Sequence, residues 1–533
     1  MDNDVAGPQG SMDAVHDKRW WTLAVLTLSL VMVVVGNTVM NVALPTLSRE
    51  LRASTSELQW IVDSYALVFA GLLLTAGAIG DRFGRKGALQ IGLVIFGIAS
   101  AVSALATSPT QLIVTRAVMG LAAAFVMPAT LSILTWVFPP HERGRAIGVW
   151  AGFVGAGAAI GPIAGGWLLE HFWWGSVFLL NVPIVLLALG AGRVLVPKSR
   201  DPEHTALDPA GAALSIVALS ALVYAVIEGP NYGWTDPLVL SAFVTSAVFG
   251  LAFVSWEFRT DHPMLDLRMV RDRRFAFGSV AITFSFFAMF GVFFLLTQYL
   301  QVVLGYTPLE AGLRTLPMAV GLAVTAPTAA RLVERFGTKR IVGTGLLTTS
   351  VGLTIASRLD ASSGYPYLVF ALLVIALGMG FTAAPSTASI MASMPLRKAG
   401  VGSAVNDTTR ELGGALGVAV LGSIAISSYS SSIESAASNL PPAAVAAASK
   451  SVAAAVQIGG ELGASGVSLA NAAKSAFTDA MSTAFLIAAG VAVVAAVLVF
   501  RFMPHRVMSV ERAAPEGPGA PAPPEAQPVH AEA

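Results

Sequence analysis

Long apolar stretches, separated by short polar segments, occupy almost the whole of this chain. A helix needs roughly 20 apolar residues to cross the hydrocarbon core of a bilayer. By that measure the candidate spans are fourteen, approximately at 21–46, 57–78, 87–106, 110–137, 144–169, 175–197, 208–228, 237–257, 275–303, 309–331, 340–357, 365–393, 400–428 and 479–503. The pattern predicts an all-α integral membrane protein with fourteen transmembrane helices. An even number of spans places both termini on the same side.

Positive charges select that side, because Lys and Arg are enriched in cytoplasmic loops. With the N-terminus inside, most of the 32 Lys and Arg residues fall in cytoplasmic segments. We therefore predict a multi-pass protein of the cell membrane with both termini in the cytoplasm. The high Ala and Gly content indicates a bacterial source, and thus the inner or plasma membrane of a bacterium. The first span follows a polar tail and is too long for the core of a signal peptide, so it is interpreted as a retained helix.

A polar turn between the second and third spans recurs later in the chain. The first copy, at 77–86, reads Gly-Ala-Ile-Gly-Asp-Arg-Phe-Gly-Arg-Lys, and the segment 333–339 repeats its acidic, basic and glycine positions. Repeated halves are how many secondary transporters are built. The predicted regions are a cytoplasmic tail at 1–19, a six-helix half at 20–200, two inserted helices with linkers at 201–270, a second six-helix half at 271–505 with an outer loop at about 429–474, and a disordered cytoplasmic tail at 506–533.

Composition narrows the function classes. The 533 residues are 55% hydrophobic and 12% charged, against about 25% charged in soluble domains. The net charge of +1 indicates no nucleic-acid partner, and the absence of Cys excludes disulfides and thiolate metal sites. The sequence contains no phosphate-binding Gly-Lys-Ser/Thr loop and suggests no Ser/His/Asp set, so neither ATP-driven pumping nor an enzyme active site is predicted. No metal site and no cofactor are expected.

Glycines follow a regular spacing in the fifth span. Small residues four apart share one helix face and let two backbones approach closely, and a proline inside a helix removes a backbone donor and bends it. Ordinary packing of membrane helices is one explanation, and a dedicated motif is the other. The residues are Gly148, Gly157, Gly161, Pro162, Gly165 and Gly166.

Together with the turn at 77–86, this glycine pattern resembles two signatures of the major facilitator superfamily, the second of them found in its antiporters. The segments 41–45, 181–183 and 410–414 are similar to those of its fourteen-helix drug:proton antiporter group. The resemblance covers residues 20–505. It implies a major facilitator fold of two six-helix halves plus two extra central helices. It also implies a monomer in the lipid bilayer that exchanges a small-molecule substrate for protons.

Asp63, one turn into the second span, is the first candidate for proton coupling. An ionisable side chain inside a membrane is costly and indicates function, and a proton bound there would compete with a cationic substrate. The resemblance implies the same role, because an acid at this position contributes to proton or cation handling in similar quaternary-ammonium pumps. The alternative is an Asp that serves only the helix start, where Ser56 and Gln59 are the expected capping box.

Arg116 in the fourth span matches an Arg of the family pattern. The resemblance implies that it helps proton transfer or charge balance, and an Arg paired structurally with a buried carboxylate is the alternative. The chain departs from the group at Gly36, where an Asp is usual. That departure argues against divalent cations as substrates and favours monovalent cationic or neutral lipophilic compounds.

Three charged residues lie together in the thirteenth span, at positions that can meet on one helix face. They are either a self-contained structural network or the partner of the 77–86 turn in a cytoplasmic gate. The resemblance implies the gate, with the acid of the turn drawn to the start of the thirteenth helix. The gate residues are Gly77, Asp81, Arg82, Gly84, Arg85, Lys86, Asp407, Arg410 and Glu411.

A substrate cavity is expected to have apolar and aromatic walls with few polar groups. Glu228 either attracts cations to it or is a solvated loop acid. The cavity candidates are Asn37, Asn41, Trp60, Tyr65 and Glu228, with Met40, Met127, Phe284, Phe286, Phe290 and Phe293 as wall residues. The predicted function is proton-coupled export of lipophilic, cationic drugs or antibiotics by alternating access. The alternatives are a dedicated exporter of one endogenous metabolite or antibiotic, and a non-transporting membrane receptor or scaffold.

Overall fold

The structure, a computed structural model, describes residues 18–200, 208–261, 263, 267–393, 399–437, 441–462 and 466–505. Residues 1–17 and 506–533 of the predicted tails therefore lie outside the described residues. The described part contains no β-strand, which confirms the all-α class. The α-helices are α1 (Arg19–Glu50), α2 (Thr55–Phe83), α3 (Arg85–Ala104), α4 (Pro109–Val137), α5 (Pro140–His171), α6 (Ser176–Leu179), α7 (Asn181–Leu195), α8 (Pro209–Tyr232), α9 (Pro237–Arg259), α10 (Arg273–Gln298), α11 (Pro308–Phe336), α12 (Thr338–Ala356), α13 (Tyr365–Ala392), α14 (Ala399–Ala437), α15 (Pro442–Lys450), α16 (Val452–Glu461) and α17 (Val467–Phe502). A 3₁₀ turn covers Leu267–Arg271, and a π-helical segment, Tyr299–Val303, continues α10.

Many of these helices are long and apolar enough to cross a membrane. Within the described residues eleven meet this criterion, and a twelfth does if the bent helix α11 is counted as one span. Two further predicted spans correspond to α5 and α12, which are helical but do not belong to that set. A multi-pass membrane protein is therefore confirmed, whereas the number fourteen stays a prediction.

The repeated polar turn has the same structural cause in both places. Gly84 ends α2 with φ of +125°, and Gly337 ends α11 with φ of +84°. Side chains with a Cβ rarely adopt these backbone conformations, so glycine is required at both positions. Each glycine is also the residue from which the next helix starts. The turns thus join α3 to α2 and α12 to α11 without an intervening loop.

The start of α2 differs from the prediction. Ser54 caps the helix, because its hydroxyl accepts a hydrogen bond from the Glu57 amide while the Glu57 carboxylate accepts one from the Ser54 amide. The predicted capping box of Ser56 and Gln59 is wrong, since the pair two residues earlier already fills that role. Gln59 is instead fully buried in the bundle.

Corresponding helices pack together in the two predicted halves. In the first half α1 packs on α5 and α2 on α4, and in the second α10 packs on α14 and α11 on α13. The inserted helices α8 and α9 pack on each other. Helix α8 also contacts α2 and α14, one helix from each predicted half, and therefore covers the seam between them.

The predicted outer loop at 429–474 is largely helical in the part that the structure describes. Helix α14 continues to Ala437, and α17 begins at Val467, well before the predicted span. Between them α15 and α16 pack on each other, α15 on α14 and α16 on α17. The segment is rich in Ala, the residue with the highest helix propensity, which accounts for the extra helix.

Candidate functional site

Asp63 lies near the start of α2 and is fully buried. Within the described residues, neither of its carboxylate oxygens has a hydrogen-bond partner. Ala66 and Leu67, on the same face of α2, pack in one apolar cluster with residues of α8 and α14. The side chain of Asp63 therefore lies on the face of α2 that meets the other predicted half. An ionised carboxylate at this place would have no compensating partner, a situation that costs several kcal/mol.

Arg116 on α4 is also fully buried, and its contacts are main-chain oxygens and a ring. Its Nε donates to the carbonyl of Ile61 at 3.2 Å, and its Nη1 to the carbonyl of Gly36 at 3.4 Å. The guanidinium lies over the Tyr65 ring, 4.4 Å from its centroid. Among the described residues, Nη2 of Arg116 and the hydroxyl of Tyr65 have no hydrogen-bond partner. Direct pairing of Arg116 with a carboxylate is therefore not observed.

Asp63 and Arg116 are not brought into contact. The guanidinium of Arg116 lies over the ring of Tyr65. Tyr65 is two residues beyond Asp63, so the side chains of Asp63 and Tyr65 leave α2 on nearly opposite faces. The acid that interacts electrostatically with both Arg116 and Tyr65 is Glu411 of α14. One oxygen of Glu411 is buried and has no partner in the described part of the chain. Glu411 thus joins a charge group that spans the two predicted halves.

Asp407 and Arg410 pair with each other on α14, with 3.6 Å between Oδ1 and Nη1. The guanidinium of Arg410 lies over the Phe286 ring, 4.6 Å from its centroid, and this ring is 6.2 Å from that of Phe290. Asn406 also donates to Asp407, at 3.4 Å. In this conformation the two residues form a local network on α14, beside two of the predicted wall aromatics.

The 77–86 turn makes its contacts within its own half. Asp81 forms an ion pair with Arg85 at 2.6 Å. Lys86 donates to the carbonyl of Arg193, at the end of α7, at 2.8 Å. Within the described residues no ion pair joins Asp81 to α14. The predicted gate contact with the start of α14 therefore stays a prediction.

Two other residues of the turn have different surroundings. Gly77 packs on α4, where an added Cβ would lie 3.3 Å from Cβ of Pro128. The side chain of Arg82 is exposed and lies over the ring of Phe83, 5.4 Å from its centroid. Gly77 is thus a packing position, whereas Arg82 lies at the exposed surface of the turn.

The antiporter glycines fit α5 closely against α1. An added Cβ on Gly161 would overlap Oγ1 of Thr38, and one on Gly165 would lie 2.8 Å from Cγ1 of Val39. Gly157 faces Val34 one turn earlier. These three glycines pack inside the first predicted half. Gly148 lies in α5, but its surroundings are outside what the structure describes.

The last part of the glycine pattern contacts the second predicted half. An added Cβ on Gly166 would lie 2.6 Å from Cα of Leu309 in α11. Gly312 of α11 packs against the carbonyl of Pro162. Glycine is needed on both helices, because each backbone occupies the space that a side chain of the other would take.

Trp60 and Glu228 bind each other at the start of α2. Trp60 Nε1 donates to Glu228 Oε1 at 3.1 Å, and Asn231 Nδ2 donates to Glu228 Oε2 at 2.8 Å. The ring of Tyr224 is 6.1 Å from that of Trp60. Glu228 is therefore not a solvated loop acid, because it holds α8 to α2.

The remaining polar cavity candidates lie on α1, where Asn37 and Asn41 are half-buried. Met40 is in the apolar core, 2% exposed. Gly36 stands where the family resemblance leads one to expect an Asp. An added Cβ on Gly36 would lie 3.2 Å from Cζ of Phe96 and 3.5 Å from Nδ2 of Asn181. An acid there would displace Phe96, and the Gly36 carbonyl, not a carboxylate, accepts the hydrogen bond from Arg116.

Polar contacts join the two predicted halves toward the end that the Lys/Arg pattern predicts to be outside, here named the predicted outer end. The hydrogen bonds are those of Gln59 to the carbonyls of Val418 and Ala419, Gln301 to that of Val42, Thr55 to that of Lys450, and Ser48 with Ser451, at 2.8–3.0 Å. Direct contact therefore closes this end of the bundle. The sequence predicts only a capping role for Gln59, although its place one turn before Asp63 indicates the same buried face.

Comparison with known proteins identifies the family. The profile of the Major Facilitator Superfamily matches residues 26–418. The chain belongs to this superfamily. The multidrug efflux pump LfrA of Mycolicibacterium smegmatis is 37% identical over 484 residues, which cover 90% of this transporter and 96% of LfrA. The methyl viologen resistance protein SmvA of Salmonella typhimurium is 37% identical over 476 residues, 88% of this transporter and 94% of SmvA.

Solved structures agree on the fold. The crystal structure of a bacterial homologue of the human lysosomal transporter Spinster, inward-facing and unoccupied, has a TM-score of 0.65 and 20% identity, and the match covers 91% of this chain and 98% of that one. The major facilitator fold is thus confirmed. The protein is a membrane transporter and not an enzyme.

Proposed function

We propose that this transporter exports lipophilic cationic drugs or antibiotics from the bacterial cytoplasm in exchange for protons. The observation that carries the proposal is the complete burial of Asp63, without a partner among the described residues, on the face of α2 that meets the other half. A carboxyl group so placed is stable as the neutral acid. The names of LfrA and SmvA, a multidrug efflux pump and a methyl viologen resistance protein, support drug efflux as the activity.

Alternating access links this burial to transport. When the predicted outer end is open, Asp63 reaches the outer solution and takes up a proton. The neutral acid then allows the seam between α2 and α14 to close, which is the arrangement in this structure. A lipophilic cation entering from the cytoplasm or the inner leaflet then favours release of the proton, because two positive charges compete for the same acid.

Arg116 and Glu411 form the second part of the proposed mechanism. An Arg side chain keeps its positive charge in proteins. Arg116 of α4 therefore acts as a fixed charge beside Tyr65, on the face of α2 opposite Asp63. Glu411 interacts with it from the opposite half. Separation of the halves would weaken this attraction, so the pair favours the closed seam and opposes its opening until a substrate or proton changes the balance.

The 77–86 turn is the proposed cytoplasmic latch. In this structure, which is closed at the predicted outer end, Asp81 pairs with Arg85 of its own turn. When the cytoplasmic side closes, Asp81 would exchange this partner for the N-terminal end of α14, where the helix dipole attracts an anion. The latch and the outer contacts would then form in alternation.

The test is ethidium efflux by the full chain in proteoliposomes under an imposed pH gradient. We expect efflux that stops when an ionophore collapses the gradient, and equal rates with and without the gradient would contradict proton coupling. No efflux of ethidium, together with gradient-driven movement of a single endogenous compound, would support the dedicated exporter. No flux of any tested compound, with the fold intact, would support the receptor or scaffold.

A further inference from the structure

We propose that Gln59 couples the protonation of Asp63 to closure of the predicted outer end, an inference that rests on the proposed function. Gln59 lies one turn before Asp63 on α2, and residues four apart on a helix are neighbours on one face. Both side chains are fully buried. An amide that holds the opposite half therefore lies beside the acid that exchanges protons.

The amide of Gln59 makes a specific contact with α14. Its Nε2 donates to the carbonyls of Val418 and Ala419, at 3.0 and 2.9 Å. An added Cβ on Gly422 would lie 2.5 Å from this nitrogen, so only glycine at 422 lets the amide reach the main chain of α14. The hydroxyl of Ser423, itself donating to the carbonyl of Val226, lies 3.5 Å from the same nitrogen, so all three contacts of Nε2 are with α14.

On α2 itself, the acceptor oxygens of Gln59 and Asp63 have no hydrogen-bond donor among the described residues. Within the described residues, Oε1 of Gln59 and both carboxylate oxygens of Asp63 are buried and without a hydrogen-bond partner. A neutral carboxyl group has one O–H to donate, whereas a carboxylate has none. Protonated Asp63 therefore can donate to Oε1 of Gln59 while Nε2 keeps its bonds to α14.

Loss of the proton reverses this preference. An ionised Asp63 only accepts, so it repels Oε1 of Gln59 and attracts the amide hydrogens. Rotation of the amide toward the carboxylate turns Oε1 to the carbonyls of α14, where acceptor meets acceptor. The bonds between the halves are then lost, and the seam opens at the predicted outer end. The proton is taken up from the outer solution while that end is open, and it is released toward the cytoplasm while that end is closed.

Other charged or titratable groups approach α2 from the helices packed on it, but they have contacts of their own. Arg116 of α4 lies on the opposite face with Tyr65, and Glu411 of α14 interacts with these two. Glu228 and Tyr224 of α8 lie beside Trp60, to which Glu228 is hydrogen-bonded. The charged side chains of α1 and α3 are at the ends of those helices.

The experiment measures the width of the predicted outer end against pH. The chain has no Cys, so spin labels can be attached uniquely to Glu50→Cys and Ala361→Cys, two exposed positions on opposite halves. Electron–electron distances are measured on the full chain in liposomes. In the otherwise unchanged protein the distance should lengthen as pH rises, and Asp63→Asn should keep it short. Gln59→Met should lose the pH-dependent lengthening.

A matched control separates this coupling from simple closure. Gln301 also donates to a carbonyl of the other half, that of Val42 at 2.8 Å, and its Oε1 is likewise buried without a described partner. No carboxylate lies one turn from it, since these positions are Thr297 and Gly305. Gln301→Met should therefore shift the distance at every pH and keep the pH-dependent change.

A second variant reaches the same contact from α14. Gly422→Ala displaces the amide of Gln59 without altering Asp63, and it should also lose the pH-dependent lengthening. The proposal is overturned if Gln59→Met and Gly422→Ala keep the full pH response, which would mean that burial of the charge alone drives opening. It is equally overturned if Gln301→Met loses the response too. A pH response that survives Asp63→Asn would contradict the proposed function itself.

Discussion

Replacing Gly161 by Ala is predicted to disturb the packing of α5 on α1. The added methyl group would overlap Oγ1 of Thr38 and lie 3.0 Å from its Cβ. Thr38 is not free to move away, because its hydroxyl donates to the carbonyl of Val34 at 3.0 Å. The substitution therefore either breaks this hydrogen bond or pushes the two helices apart.

The two possibilities bracket the effect on the free energy of unfolding. Rotation of the Thr38 side chain loses one hydrogen bond, about 0.5–1.5 kcal/mol. Separation of the helices is overpacking, which typically costs about 1–3 kcal/mol. Ala is also the better helix former by about 1 kcal/mol. That gain is shared by any exposed Gly→Ala change in α5, so a matched substitution removes it from the comparison.

Gly152 provides the match, because it is exposed on the same helix and an added Cβ there meets nothing within 4 Å. The measurement is the midpoint of thermal unfolding in detergent, followed by size-exclusion chromatography. We expect Gly161→Ala to be less stable than Gly152→Ala by about 0.5–3 kcal/mol, and Thr38→Ala to restore part of the difference in the double variant. Equal stability of the two glycine variants would refute the placement of α5 on α1.

Two further predictions concern charged residues. Arg116→Met removes both main-chain hydrogen bonds and the charge that interacts electrostatically with Glu411, so gradient-driven ethidium efflux should be lost. Arg116→Lys keeps the charge without the planar fork and should retain part of the efflux. Full efflux by the Met variant in proteoliposomes would contradict this role. Asp81→Asn removes an ion pair within one turn that is worth about 0.2–1 kcal/mol, so thermal stability should hardly change while efflux falls, and unchanged efflux would refute the latch.

The spans and the repeat could be predicted because a bilayer leaves the backbone few solutions. Every polar main-chain group must be bonded inside a helix, so long apolar stretches specify helices directly. Gly84 and Gly337 mark the same turn in both halves for the same conformational reason. The sequence does not determine the start of α2, because Ser54 and Ser56 are each followed three residues later by a residue that suits a capping box.

The arrangement of the charged groups depends on tertiary packing that local pattern does not contain. Helical periodicity alone places Asp63 and Tyr65 on nearly opposite faces of α2. The sequence therefore predicts that a residue packed on Tyr65, as Arg116 is, lies away from Asp63. The approach of Glu411 to Arg116 depends on the register of α14 against α2, which no spacing in the chain reveals. The contact of Gln59 with α14 depends on the same register and on the absence of a side chain at Gly422.

In the proposed mechanism, Asp63 exchanges the proton that drives export. This role is tested most directly by ethidium efflux from proteoliposomes under an imposed pH gradient, comparing the unchanged protein with Asp63→Asn. Asp236→Asn is the control, because Asp236 caps α9 outside the seam and an Asn keeps the capping oxygen. Efflux should be lost in Asp63→Asn and kept in Asp236→Asn. Full gradient-driven efflux by Asp63→Asn would contradict the proposed role of Asp63.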